Sequence, residues 1–208
     1  MLAGFVKVSY IDYPGELASV LFTRGCNFRC PWCHNQGIVK NKNSDELDIA
    51  IVIGELVNNK HLVNHVVVTG GEPTLHGNDL ALLLRKLKEL GFKVKLDTNG
   101  TNPKLLAQII DEGIIDYIAM DLKNTFAKYD TTVEVKVDIQ DIKESINLIE
   151  NSKIPYQFRT TINKLMHTAE DLAEMKSYLK KPEELKLQKY RYSKEQIVDR
   201  DFGVLELV

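Results

Sequence analysis

Cysteine is scarce in this chain. Its 208 residues hold three thiols, and all of them fall between positions 26 and 33, at Cys26, Cys30 and Cys33. The odd count, with no charged-then-apolar leader at the N-terminus, argues against a disulfide framework. A cytoplasmic location is therefore expected, and no thiolates remain for a second cluster. An excess of one charge is missing too. The 27 basic and 29 acidic residues give a net charge of −2, which does not favour binding to nucleic acid. No apolar run approaches the roughly 18 residues that a bilayer span needs, so no membrane association is expected. Repeats, low-complexity stretches and linkers are absent. His61, His65, His76 and His167 show no metal-ligand spacing and read as surface or helix-end residues. A 44% hydrophobic, 27% charged chain of this length fits one globular domain, residues 1–208.

What is present is concentrated. The segment Cys26-Asn27-Phe28-Arg29-Cys30-Pro31-Trp32-Cys33-His34 spaces its thiols four and three residues apart. Three thiolates at that spacing can wrap one corner of an iron–sulfur cube and leave the fourth iron open for chemistry. The alternative is a closed zinc site with His34 as fourth ligand, making the protein an interaction module. Zinc knuckles usually pair two short hooks across a longer loop. Here all candidates crowd together, and adjacent Cys33 and His34 rarely bind one tetrahedral ion without strain.

Short apolar runs alternate with longer amphipathic ones, the pattern of βα units around a parallel sheet. Strands are expected over 18–23, 65–69, 93–97, 117–120, 156–161 and 184–188. Helices are expected over 45–58 with Ser44 as cap, 79–90 closed by Gly91, 103–112, 138–150 and 168–179. The polar segment 123–137 reads as a mobile loop. Six such units suit an open, partial (β/α)6 TIM-like barrel, in which chemistry collects at the C-terminal ends of the strands. Cys26, Gly70, Asp97, Asp121 and Thr161 all fall at such ends.

Four further segments stand out. In Gly70-Gly71-Glu72-Pro73 the glycines would let a ligand approach the backbone, and Glu72 could bond an ammonium. The same residues also suit an ordinary turn. Leu96-Asp97-Thr98-Asn99-Gly100 and Met120-Asp121-Leu122-Lys123 place carboxylates where burial is costly without a partner. Gln157-Phe158-Arg159-Thr160-Thr161 adds a cation at a fifth strand end. The runs 85–88 and 180–181 read as solvated faces.

Together, CxxxCxxC with an aromatic before its third Cys and the GGEP block resemble the radical S-adenosylmethionine (SAM) superfamily. The lead-in Ser9 to Leu17, with LDTNG, AMDLK and FRTT, resembles its glycyl-radical-enzyme activating family over roughly residues 5–190. The match is closest to activating proteins of anaerobic ribonucleoside-triphosphate reductases. The resemblance implies the radical SAM barrel and one 4Fe-4S cluster on Cys26, Cys30 and Cys33. It implies SAM held by Gly70, Gly71, Glu72, Thr98, Asn99, Lys123 and Arg159, with Trp32 and His34 near the adenine. It also implies a monovalent cation, K+ or Na+, at Asp97 and Asp121, while Lys123 neutralises the methionine carboxylate. The implied reaction is reductive cleavage of SAM, with an electron from a flavodoxin or ferredoxin. The resulting deoxyadenosyl radical takes a hydrogen from a glycine of a partner enzyme. Pyruvate formate-lyase activases carry a His in the last strand, where this chain has Lys189-Tyr190-Arg191; that weakens the assignment to them. A small-molecule enzyme such as a deazapurine synthase is a further alternative.

Overall fold

The computed structural model describes residues 1–40, 46–192 and 203. Among these residues seven strands form one sheet in chain order. They are β1 (Leu2–Tyr13), β2 (Glu16–Thr23), β3 (His65–Gly70), β4 (Lys93–Thr98), β5 (Tyr117–Asp121), β6 (Tyr156–Ile162) and β7 (Leu185–Lys189). β1 runs antiparallel to β2, and β2 through β7 are parallel. The sheet curls into a half-barrel, as the six expected βα units imply. The helices are α1 (Gln36–Lys40), α2 (Ile49–Asn59), α3 (Asn78–Glu89), α4 (Pro103–Asp111), α5 (Tyr129–Val133), α6 (Ile139–Asn151) and α7 (Ala169–Ser177).

Alternation within each strand divides two environments. Val66 and Val68 of β3 join the core beneath the helices, with Leu80, Leu84 and Leu87 of α3. Val67 packs on the opposite face with Ala18 and Val20 of β2. Polar side chains hold the helix starts. Asp48 accepts from the Ala50 N–H at 2.8 Å, and Asn102 accepts from the Leu105 N–H at 3.2 Å. Thr168 and Asp171 form a reciprocal capping box on α7. The expected cap Ser44 lies outside the described residues, and α2 starts at Ile49. Among the described residues no helix is long and apolar enough to cross a membrane.

Two segments differ from expectation. The lead-in to β2 is itself a strand, and β1 turns through Pro14-Gly15, with Gly15 at φ 75°. Its irregular register against β2 blurs the alternation that would have marked it. The segment 123–137, expected as a mobile loop, carries a 3-10 turn, Phe126–Lys128, and then α5. Tyr129 and Val133 are fully buried, and the Val133 carbonyl accepts from the Arg29 N–H at 2.9 Å. The segment is thus a packed support under the cysteine loop.

Candidate active site

The C-terminal ends of the parallel strands open into a cavity of about 580 Å³. All the residues singled out from the sequence line it: Cys26, Cys30, Trp32, Cys33, His34, Gly70, Gly71, Glu72, Asp97, Thr98, Asn99, Asp121, Lys123 and Arg159.

The cysteine loop leaves β2 and is fixed from three sides. Gly71 N–H donates to the Thr23 carbonyl at 2.9 Å, and Glu72 N–H donates to the Gly25 carbonyl at 2.8 Å. Asn27 donates to Thr101 Oγ1 at 2.8 Å and accepts from the Asn99 amide at 2.7 Å. Phe28 meets the ring of Tyr129 edge-on at 6.2 Å. Cys30 is buried, and Cys26 and Cys33 are half-buried. Burial pushes the Cys26 thiol up to about 11 and the Cys30 thiol up to about 12, with Lys123 opposing both shifts. Metal binding here must displace protons.

The three thiols line the cavity together, and among the described residues no closed zinc site forms around them. Among the described residues no group of three His, Cys, Asp or Glu could hold one metal ion. His34 does not turn toward the thiols; its Nε2 bonds the Arg191 carbonyl at 2.8 Å, tying the cysteine loop to the exit of β7. Trp32 is buried and packs edge-on against His167 at 6.4 Å.

The glycines of the second motif line the cavity and also let neighbouring backbone pass close. A Cβ on Gly71 would stand 1.8 Å from the Gly25 carbonyl oxygen, and one on Gly70 would stand 2.3 Å from the Thr23 nitrogen. Gly70 also sits at φ 125°. Gly70 is required by the close pass of the end of β2, and Gly71 by that of the cysteine loop. The Glu72 carboxylate, 1% exposed, is equally engaged. Its Oε1 accepts from Thr74 N (3.0 Å), Thr74 Oγ1 (2.6 Å) and Thr98 Oγ1 (2.8 Å), and its Oε2 accepts from Asn99 N (2.6 Å). Three of the four donors crowd Oε1 and one meets Oε2. Glu72 therefore positions the Thr98-Asn99 turn, and Oε2, with the Asn99 N–H as its one donor, is the oxygen that could meet an ammonium. Burial pushes its carboxyl above the ordinary value despite these bonds.

On the concave face, five charges alternate. Lys95 Nζ donates to Asp97 Oδ1 at 2.5 Å, and Arg159 Nη1 donates to Asp97 Oδ2 at 3.1 Å. Arg159 Nε donates to Asp121 Oδ1 at 2.9 Å, and Lys123 Nζ donates to Asp121 Oδ2 at 3.0 Å. Burial alone would raise Asp121, but Arg159 and Lys123 hold it well below the usual carboxylate range. Burial alone would lower Lys123, and Asp121 more than reverses this. Where a monovalent cation is implied between Asp97 and Asp121, a guanidinium stands instead.

Several contributors escape a reading of the sequence. Lys95 is fully buried; its position two residues before Asp97 in a strand, hence on the same face, is the available signal. His167, expected at the surface or a helix end, directly precedes the Thr168 cap of α7 and is 2% exposed. Its Nε2 bonds the Lys123 carbonyl at 2.9 Å while it supports Trp32, and burial lowers its pKa. The Tyr129 hydroxyl accepts from the Lys123 N–H at 3.3 Å.

Comparison with known proteins gives consistent matches. The family model described as the radical SAM superfamily matches residues 20–181. A Methanocaldococcus jannaschii protein, described as a candidate glycyl-radical enzyme activating enzyme, is 33% identical over 187 residues, covering 86% of this chain and 75% of its own. The 7-carboxy-7-deazaguanine synthase of Aquifex aeolicus is 37% identical over 78 residues, covering 38% of this chain and 34% of its own. Among solved structures, native anSMEcpe with bound AdoMet superposes with a TM-score of 0.61 at 16% identity, over 82% of this chain and 51% of that one.

Proposed function

Because the chain belongs to the radical SAM superfamily, and within it to the glycyl-radical-enzyme activating family, we propose that it installs the glycyl radical of an anaerobic ribonucleoside-triphosphate reductase. The observation that carries the reading is convergence. Cysteines from the β2 loop, backbone from the β3 loop and charges from β4, β5 and β6 face one open cavity. When bound, a 4Fe-4S cluster on Cys26, Cys30 and Cys33 would supply the electron that cleaves SAM. The chain's own residues do the rest. Lys123 presents a fixed ammonium to an anionic group in the cavity. Trp32 offers a buried aromatic wall for a base. Thr98 and Asn99, fixed by Glu72, shape the turn against which the cofactor rests.

The cavity lies within a sheet whose terminal strands are β1 and β7, and an open trough suits a peptide loop of a partner. A small metabolite would need fuller enclosure to protect a radical. The single-domain organisation over residues 1–208, a cytoplasmic location and a flavodoxin or ferredoxin donor belong to the same proposal. So does cofactor binding by the cavity residues named above. A monovalent cation does not, because the Arg159 guanidinium occupies its place.

The test is to incubate reduced, cluster-loaded protein with SAM and the candidate reductase. A glycyl doublet in electron paramagnetic resonance, growing in step with deoxyadenosine, is the expected result. The partial match to a deazaguanine synthase motivates the second arm, turnover of a small heterocycle. Rapid turnover there, with no glycyl signal on any partner, would replace the proposal.

A further inference from the structure

In the two carboxylates on neighbouring strands, Asp97 at the end of β4 and Asp121 at the end of β5, every oxygen already faces a fixed cation. Each is engaged twice. Asp97 meets Lys95 through Oδ1 and Arg159 through Oδ2; Asp121 meets Arg159 through Oδ1 and Lys123 through Oδ2. The side chains of Lys95, Asp97 and Arg159 are 1%, 9% and 15% exposed, so water does little to loosen that half of the arrangement, while Asp121 and Lys123 at the cavity are 30% and 20% exposed. Three fixed cations already face two anions. An alkali ion inserted there would add a fourth positive charge beside two carboxylates that three cations already neutralise.

Strand register explains how one arginine reaches both acids. Arg159 pairs directly with Asp121 across β5 and β6. Asp97 pairs with Ala119, two residues earlier on β5. Paired residues share a face, so the Arg159 side chain crosses β5 over a methyl group. A larger residue at Ala119 would stand in its path. The guanidinium is planar and permanently charged, and it meets one acid with Nε and the other with Nη1.

We infer that Arg159 is the internal cation of this site. It acts as a positioning residue that joins the ends of β4, β5 and β6 and, through Asp121, holds Lys123 in the cavity. The protein therefore takes up no alkali ion, and its stability and SAM binding do not depend on which alkali ion is present. The ion measurements need no SAM and no partner enzyme, so they stand or fall separately from the proposed reaction.

The first measurement uses the wild-type protein. Its Tm is compared in potassium, sodium and tetramethylammonium chloride at equal ionic strength, and alkali content is measured by elemental analysis after desalting into the tetramethylammonium salt. Equal Tm values and no stoichiometric alkali ion are expected. A Tm raised specifically by potassium or sodium, or one retained alkali ion per chain, would overturn the inference. The second measurement uses Arg159→Met and Arg159→Lys in the cluster-loaded protein. Arg159→Met should lower the Tm and weaken SAM binding at least tenfold, with Arg159→Lys recovering part of both. SAM affinity unchanged in a folded Arg159→Met protein would refute the positioning role. If that variant does not fold, the wild-type ion measurements decide alone.

Discussion

Replacing Glu72 with Gln tests whether this carboxylate serves the protein or the ligand. Both oxygens lie in a pocket of donors. Oε1 faces one backbone N–H and two hydroxyls, and Oε2 faces the Asn99 N–H at 2.6 Å. Gln supplies one oxygen and one NH2. Hydroxyls can rotate to accept, but a backbone N–H cannot. The least disruptive orientation puts the NH2 against Asn99 N, leaving two donors face to face in a site 1% exposed. A buried unsatisfied donor costs about 1–3 kcal/mol. Removing the buried charge returns part of that, since burial already pushes the carboxyl up. A chain of this size loses about 2–4 °C of Tm per kcal/mol, so a fall of several degrees is expected in protein free of cofactors. The pH dependence has a definite sign. A carboxyl raised in the folded state binds its proton there first, so the wild type gains stability from Glu72 as pH falls through that range. Glu72→Gln should lack this gain. Calorimetry at several pH values reads both effects. An unchanged Tm with SAM affinity alone reduced would show that Glu72 bonds the ligand directly, and the positional account would be wrong.

Three other outcomes follow from local geometry. Gly71→Ala places a Cβ on the Gly25 carbonyl, so the cysteine loop must move, and iron content per chain after reconstitution should fall sharply. Gly54, exposed inside α2 with nothing within 4 Å of where an alanine methyl would stand, is the opposite case; Gly54→Ala should stabilise by about 0.5–1 kcal/mol, read from urea midpoints. Asp121 is held below the ordinary carboxylate value by Arg159 and Lys123. Its contribution is complete above an unfolded pKa of about 3.9 and is lost as pH falls through the folded value. Asp121→Asn should therefore lower stability at neutral pH, with the difference from wild type shrinking in strong acid; a constant difference across an acid series would contradict it.

Much of this architecture is legible in the sequence because burial leaves a periodic trace. The β-branched run of β3 and the leucine face of α3 can hardly be read otherwise, and the strand ends so located carry the motif residues. What escapes has weaker or ambiguous traces. β1 mixes Gly, Lys, Ser and Asp among its apolar residues and pairs with irregular register, so no clean alternation survives. In 123–137 the surrounding polar residues hide the helical spacing of Phe126, Tyr129 and Val133. Lys95 shares a face with Asp97 by its spacing, but the sequence does not place Arg159 opposite them, so the ionic interior stays hidden. The Gly-Gly-Glu segment stands out in the sequence, but its chemistry alone does not say that the close neighbour is the cysteine loop.

The strictly sequential order of the sheet bears on how the molecule is made. Each strand pairs with the one synthesised immediately before it, so the sheet can lengthen at one edge as the chain emerges. The interior charges suit such growth. Asp97 arrives with Lys95 two residues away on its own strand, and Asp121 arrives with Lys123 two residues beyond it. Neither strand end is added as a bare carboxylate, the species most costly to bury. Arg159 comes last and joins two pairs that are already neutral. A nascent chain halted before β6 would thus carry balanced strand ends but no link between them, and ribosome-bound intermediates of increasing length should become protease-resistant across β4 and β5 only once residue 159 has left the exit tunnel.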